Sequence, residues 1–202
     1  MKTKVHESFR KVAEDVFGPL DQSVGIPSVI PMQIPAPAAT QDGPSPQVLD
    51  GLCAMLAEAK HNAHTYRQGA SVLKNGGFPE AGKFLKKMSG KWCDVAKNVG
   101  SFVEDLGGTI CFKPIPGVGE LPNDPNGMAN HFFGLEKAIT AKIIAFHAAT
   151  EGKDVIVHEH LCHMLEKRMK MEGKMREFLR LTTLAGNDFM GLDHSVKHWM
   201  RG

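Results

Sequence analysis

The sequence predicts an all-α fold: a four-helix bundle with one long crossover, a short fifth C-terminal helix and an extended proline-rich N-terminal arm. Three observations predict it. Four long segments carry apolar residues at steps of three and four, the period of a helix with one buried seam. Glycine and asparagine stops separate them, as at helix C-termini. A proline- and glycine-rich stretch too long for a turn lies between the second and third, which is the pattern of a bundle with a single crossover.

The chain divides into an N-terminal extension, 1–45, and a bundle, 46–202. The spacing predicts a short amphipathic helix over 5–17, with Val5, Phe9, Val12, Val16 and Phe17 on one side. The segment 18–46 holds seven of the twelve prolines. Proline blocks both helix and ladder formation, so an extended arm follows. Val24, Ile26, Val29, Ile30, Met32 and Ile34 make it apolar, which suits contact with a neighbouring subunit better than a free linker.

The first bundle helix opens at Ser45-Pro46, a cap followed by a first-turn proline. Leu49, Leu52, Leu56, Ala59, Ala63, Tyr66, Ala70 and Leu73 form its seam, and Asn75-Gly76-Gly77 ends it. Pro79 opens the second, with Met88, Trp92, Val95, Val99, Phe102 and Leu106 as its seam and Gly107-Gly108 as its stop. Residues 109–126 are the crossover. The third helix spans 126–150, with Met128, Phe132, Leu135, Ile139, Ile143 and Phe146 on its seam. Glu136, one step off that seam, has Lys137 and Lys91 as candidate partners. The fourth spans 154–184 on Leu161, Met164, Met171, Met175 and Phe178, with Arg168 interrupting the register. The short fifth spans 188–200.

Composition narrows the function classes. Charged residues make up 23% of 202, with a net charge of +2 and a pI of 8.3, a balance that forces no nucleic-acid reading. Cys53, Cys93, Cys111 and Cys162 lack paired spacing. They read as reduced thiols in a cytoplasmic protein rather than a disulfide or Cys-x-x-Cys framework. No apolar run reaches the roughly 18 residues of a membrane span. The residues before Gly18 lack the apolar core of a secretion signal. No glycine-rich phosphate loop or Ser/His/Asp arrangement appears.

Metal-binding side chains concentrate in Gly134–Met169. His160, His163 and Glu166 recur every third residue of the fourth helix, with Cys162 beside them and His147 closing the third. Together they suit a borderline divalent ion such as zinc, held with symmetry mates. A polar helix surface at a subunit contact is the competing reading.

Three segments carry a family resemblance over residues 46–200: Phe102–Pro114, FVEDLGGTICFKP; Leu135-Glu136-Lys137 followed by His147; and His160–Glu166, HLCHMLE. In this order the chain resembles eukaryotic-type ferritin subunits, which implies a ferritin-like bundle and self-assembly into a ferritin-type shell, or co-assembly with other ferritin subunits. The resemblance places His147, Cys162 and Glu166 at threefold-channel positions, with His163 where the family carries an aspartate. It also places Glu58 and Glu136 at two positions of the family's di-iron oxidation centre. That centre needs a Glu-x-x-His on the second helix, where this chain has Trp92 and Val95, and a glutamine-like group on the fourth, where it has Gly173. Oxygen-rich ligation is what iron requires, so the resemblance implies a subunit without ferroxidase activity, in a structural or iron-storage-support role. No resident cofactor is implied beyond iron or zinc at these residues. Lys83, Lys86, Lys87, Lys91 and Lys97 on the second helix also repel iron cations. The alternative is a chaperone-like or scaffold ferritin relative that stores no iron and binds protein or RNA.

Overall fold

The structure, a computed structural model, describes residues 44–186 and 188–201. The expected helix over 5–17 and the arm up to residue 43 lie outside the described residues. From Pro44 onward the chain forms one unit, built of five helices with no strand among the described residues. They are α1 (Pro46–Asn75), α2 (Pro79–Asp105), α3 (Pro125–Thr150), α4 (Val155–Ala185) and α5 (Phe189–Trp199).

Capping chemistry fixes the helix starts. The Ser45 hydroxyl accepts from Val48 N at 3.4 Å, Asp124 from Gly127 N at 2.8 Å, Asp154 from Val157 N at 3.0 Å and Asp188 from Gly191 N at 2.9 Å. These bonds satisfy amides that have no partner within the helix. Prolines occupy the first turn of α1, α2 and α3. Gly107 after α2 and Gly152 between α3 and α4 take φ of 74° and 68°, a region that costs any side chain with a Cβ.

Two hairpins make the bundle: α1 packs on α2, and α3 packs on α4. The crossover, residues 106–124, is pinned along α1. Lys113 pairs with Asp50 at 2.6 Å, Cys111 N donates to Cys53 Sγ at 3.2 Å, the His61 ring meets Pro116 O at 3.1 Å, and Lys60 lies over the Phe112 ring at 4.4 Å. The short α5 closes one end against α2 and α4. There the Asp193 carboxylate accepts from Glu80 N and Ala81 N at 2.8 and 3.1 Å, so α5 supplies the cap of α2 from across the fold.

The seams meet in one core, with Leu52, Leu56, Tyr66, Leu73, Leu85, Met88, Trp92, Met128, Phe132, Leu161, Met175 and Phe178 buried. On α3 the buried face differs from the expected one. Glu136 is buried completely and Leu135 only partly. Arg168, the expected interruption of α4, is also fully buried. The reason is that each satisfies the other. Among the described residues no helix is long and apolar enough to cross a membrane.

Candidate functional site

The centre of the bundle holds a polar network inside an apolar shell. Glu136 reaches it from α3, Arg168 from α4, Trp92 from α2 and Tyr66 from α1. Arg168 Nη2 is ion-paired with Glu136 Oε2, the two side chains being 1% and 0% exposed. The other carboxylate oxygen, Oε1, accepts from the Tyr66 hydroxyl at 2.6 Å and from Trp92 Nε1 at 3.1 Å. The guanidinium also stacks over the Trp92 ring, 4.0 Å from its centroid, and donates to Met171 Sδ at 3.0 Å. Phe132 stacks on Tyr66 at 4.0 Å and seals that side. The expected partners Lys137 and Lys91 are replaced by Arg168.

Burial governs the protonation of this network. Desolvation pulls the Arg168 guanidinium down to about 10, with Tyr66, Glu172 and Glu58 opposing the shift. Arg168 therefore stays charged at neutral pH, and its charge offsets that of Glu136. Desolvation likewise pushes the Tyr66 hydroxyl well above its ordinary value, against smaller opposing effects of Arg168 and Trp92. Tyr66 is a fixed donor.

The second carboxylate of the pair named from the sequence lies elsewhere in the network of charges. Glu58 is part-exposed and takes Lys142 Nζ at 2.7 Å. Neither Glu58 nor Glu136 joins a group of three potential metal ligands among the described residues. Gly173 is exposed, with open space where a Cβ would stand. Its neighbour Glu172 pairs with Arg176 at 3.0 Å. Val95 is partly buried. It lines a cleft of about 300 Å³ with Asn98, Val99, His160, His163 and Glu166.

The structure regroups the histidines. His160 lies flat on Phe102, with ring centroids 3.7 Å apart and planes 4° from parallel. Burial, then the charges of Lys167 and His163, pull its pKa below the usual histidine value. His163 and Glu166 are exposed. His147 and Cys162 do meet: Nε2 stands 3.0 Å from Sγ. Their third neighbour is His158, whose ring centroid is 3.9 Å from that of His147. Sequence reasoning missed His158. Its spacing of four from Cys162 puts both on one face of α4, which was the available signal.

A one-crossover bundle with paired helical hairpins and a polar centre reached by all four long helices defines a ferritin-like protein. The chain belongs to the ferritin family, whose ferritin-like domain matches residues 49–185. Solved structures agree on the fold. An open-pore ferritin from the hyperthermophilic archaeon Archaeoglobus fulgidus superposes with a TM-score of 0.73 at 17% identity, covering 76% of this chain and 96% of that one. A closed form engineered from the A. fulgidus ferritin gives 0.73 at 17%, over 77% and 95%. A humanized archaeal ferritin gives 0.73 at 18%, over 77% and 94%. No curated protein matches the chain.

Proposed function

We propose that this chain is a ferritin shell subunit without ferroxidase activity, serving a structural or iron-storage-support role. The observation that carries the reading is the Arg168–Glu136 ion pair. A pair of iron ions needs several carboxylate oxygens free to coordinate. Here both oxygens of Glu136 are taken by Arg168, Tyr66 and Trp92, and Glu58 faces Lys142. A guanidinium supplies the positive charge that a metal would otherwise supply. The residues present do not fit a di-iron centre.

The basic face of α2 supports the same reading. Lys83, Lys86, Lys87 and Lys97 are exposed, and burial together with the charges of Lys174 and Lys87 pulls Lys91 below its ordinary value. Such a face repels iron cations rather than gathering them. The four free cysteines suit a reducing, cytoplasmic setting.

Particle imaging tests the assembly and iron analysis tests the role. The full chain, purified alone, should give multi-subunit particles that accumulate no more iron from aerobic ferrous solution than a protein-free control. When co-expressed with an oxidation-competent ferritin subunit, it should enter mixed particles. A lone monomer, or particles that load iron by themselves, would overturn the reading.

A further inference from the structure

We propose that Cys53 and Cys111 form a reversible oxidation site: a hydroperoxide joins their sulfurs in a disulfide that locks the crossover to α1. The inference stands apart from the reading of the bundle centre and uses none of its residues.

The two cysteines are already in contact. Cys111 N donates to Cys53 Sγ at 3.2 Å, so the Cys111 Cα lies within about 4.7 Å of that sulfur. A disulfide spans about 4.4–6.8 Å between its Cα atoms. Rotation about the Cys111 Cα–Cβ bond, with a small shift of the crossover, brings the second sulfur to the first. Their exposures are complementary: Cys53 is 2% exposed, whereas Cys111 is open to solvent. One thiol meets an oxidant from solution and the other lies behind it.

The sequence seats Cys111 there. Gly108 brings the chain off α2 and onto α1 so closely that a Cβ would stand 2.5 Å from Leu49 Cδ2. Ile110 then packs on the core, and Cys111 follows over Cys53, about one helical turn along α1 from Leu49. The other fastenings of this segment are surface contacts. Lys113 meets Asp50, whose side chain is 68% exposed, and Lys60 covers Phe112, itself 71% exposed. Exposed ion pairs contribute little. A covalent bond at Cys53 is therefore the strongest tie this segment can make to α1. It closes a loop that holds the rest of α1 and all of α2.

The step balances with a peroxide as oxidant. The Cys111 thiolate attacks one peroxide oxygen and the O–O bond breaks. The departing hydroxide takes up the proton that the thiol had released and leaves as water. Cys111 is then a sulfenic acid. The Cys53 sulfur attacks it, the S–O bond breaks and the S–S bond forms. The Cys53 proton leaves with the hydroxyl as a second water. Two thiols lose two electrons in all, and the peroxide gains them. Exchange with a small dithiol restores the pair, in keeping with the transient, redox-sensing use of disulfides in reducing compartments.

Peptide mapping of the full-length assembled protein tests this, after treatment with hydrogen peroxide and alkylation of the remaining thiols. The expected product is a link between the Cys53 and Cys111 peptides that dithiothreitol reverses. Cys93→Ser and Cys162→Ser should each leave that link unchanged. Trapping the sulfenic acid gives a second readout. In Cys53→Ala the oxidised Cys111 has no thiol to resolve it, so dimedone should label Cys111 several-fold more than in the wild type. The oxidised wild type should melt roughly 5–15 °C above its reduced form, and Cys111→Ser, altered at an exposed position, should show no such rise. Absence of the link, links between chains in its place, or equal dimedone labelling of the wild type and Cys53→Ala would overturn the proposal. So would an oxidised wild type that melts no higher than the reduced one.

Discussion

The guanidinium of Arg168 is ion-paired with the carboxylate of Glu136 at the middle of the bundle, and neither side chain is more than 1% exposed. This pair sets the chemistry of the centre. It also concentrates risk, because each charge is tolerable there only while the other is present.

Removing one partner should therefore cost far more than removing both. Arg168→Leu leaves Glu136 charged, buried and held only by Tyr66 and Trp92. A loss of about 3–5 kcal/mol is expected from breaking such a pair, seen as a lower denaturant midpoint. Combining it with Glu136→Gln should recover part of that loss. A double-variant loss equal to the sum of the losses of Arg168→Leu and Glu136→Gln would show that the two residues are not coupled.

Tyr66 is the single tyrosine of the chain, so tyrosinate absorbance reports on it alone. Burial raises its pKa in the folded state, whereas in the unfolded chain it titrates near 10. Above about pH 10 the unfolded state thus loses a proton that the folded state keeps, and stability falls as pH rises. The folded protein should show no tyrosinate signal through pH 10–11, and the signal should appear together with unfolding. A reversible titration of the folded protein near pH 10 would contradict the buried network.

His160 gives the opposite sign. Its folded pKa is lowered by burial, Lys167 and His163, so the unfolded chain binds the proton more readily. Stability attributable to His160 is full above about pH 6.5 and is lost as pH falls below it. His160→Phe, which preserves stacking on Phe102, should flatten the dependence of melting temperature on pH between 7 and 5. An unchanged slope would assign the acid sensitivity to other groups.

Asp193 tests the docking of α5. Its carboxylate caps α2 through two amides, Glu80 N and Ala81 N. Asp193→Ala should cost about 1–2 kcal/mol, with the amides of the first turn of α2 exchanging faster. Normal protection there would mean that α5 does not hold the helix start.

Much of this fold was legible because helix periodicity and caps are local signals. Ser45-Pro46, Pro79, Gly107-Gly108 and Gly152 mark boundaries that the structure keeps within a residue or two. The crossover followed from proline and glycine content. What stayed hidden was the pairing of residues far apart in sequence. Glu136 looked one step off an apolar seam and Arg168 looked like an interruption of another. Each burial makes sense only once α3 and α4 are packed and the two charges meet. The grouping of the histidines within one chain was hidden for a related reason. Spacing along α4 favoured His160 and His163, whereas the orientation of α3 brings His147 to His158 and Cys162. Phe102 on α2 draws His160 away.

The most direct test of the central claim is single-turnover oxidation of ferrous iron by the full chain, followed by absorbance at neutral pH in air. The closed Arg168–Glu136 centre predicts oxidation no faster than in buffer, with no phase that saturates at a fixed ratio of iron to subunit. A rapid, saturable and stoichiometric phase would contradict it.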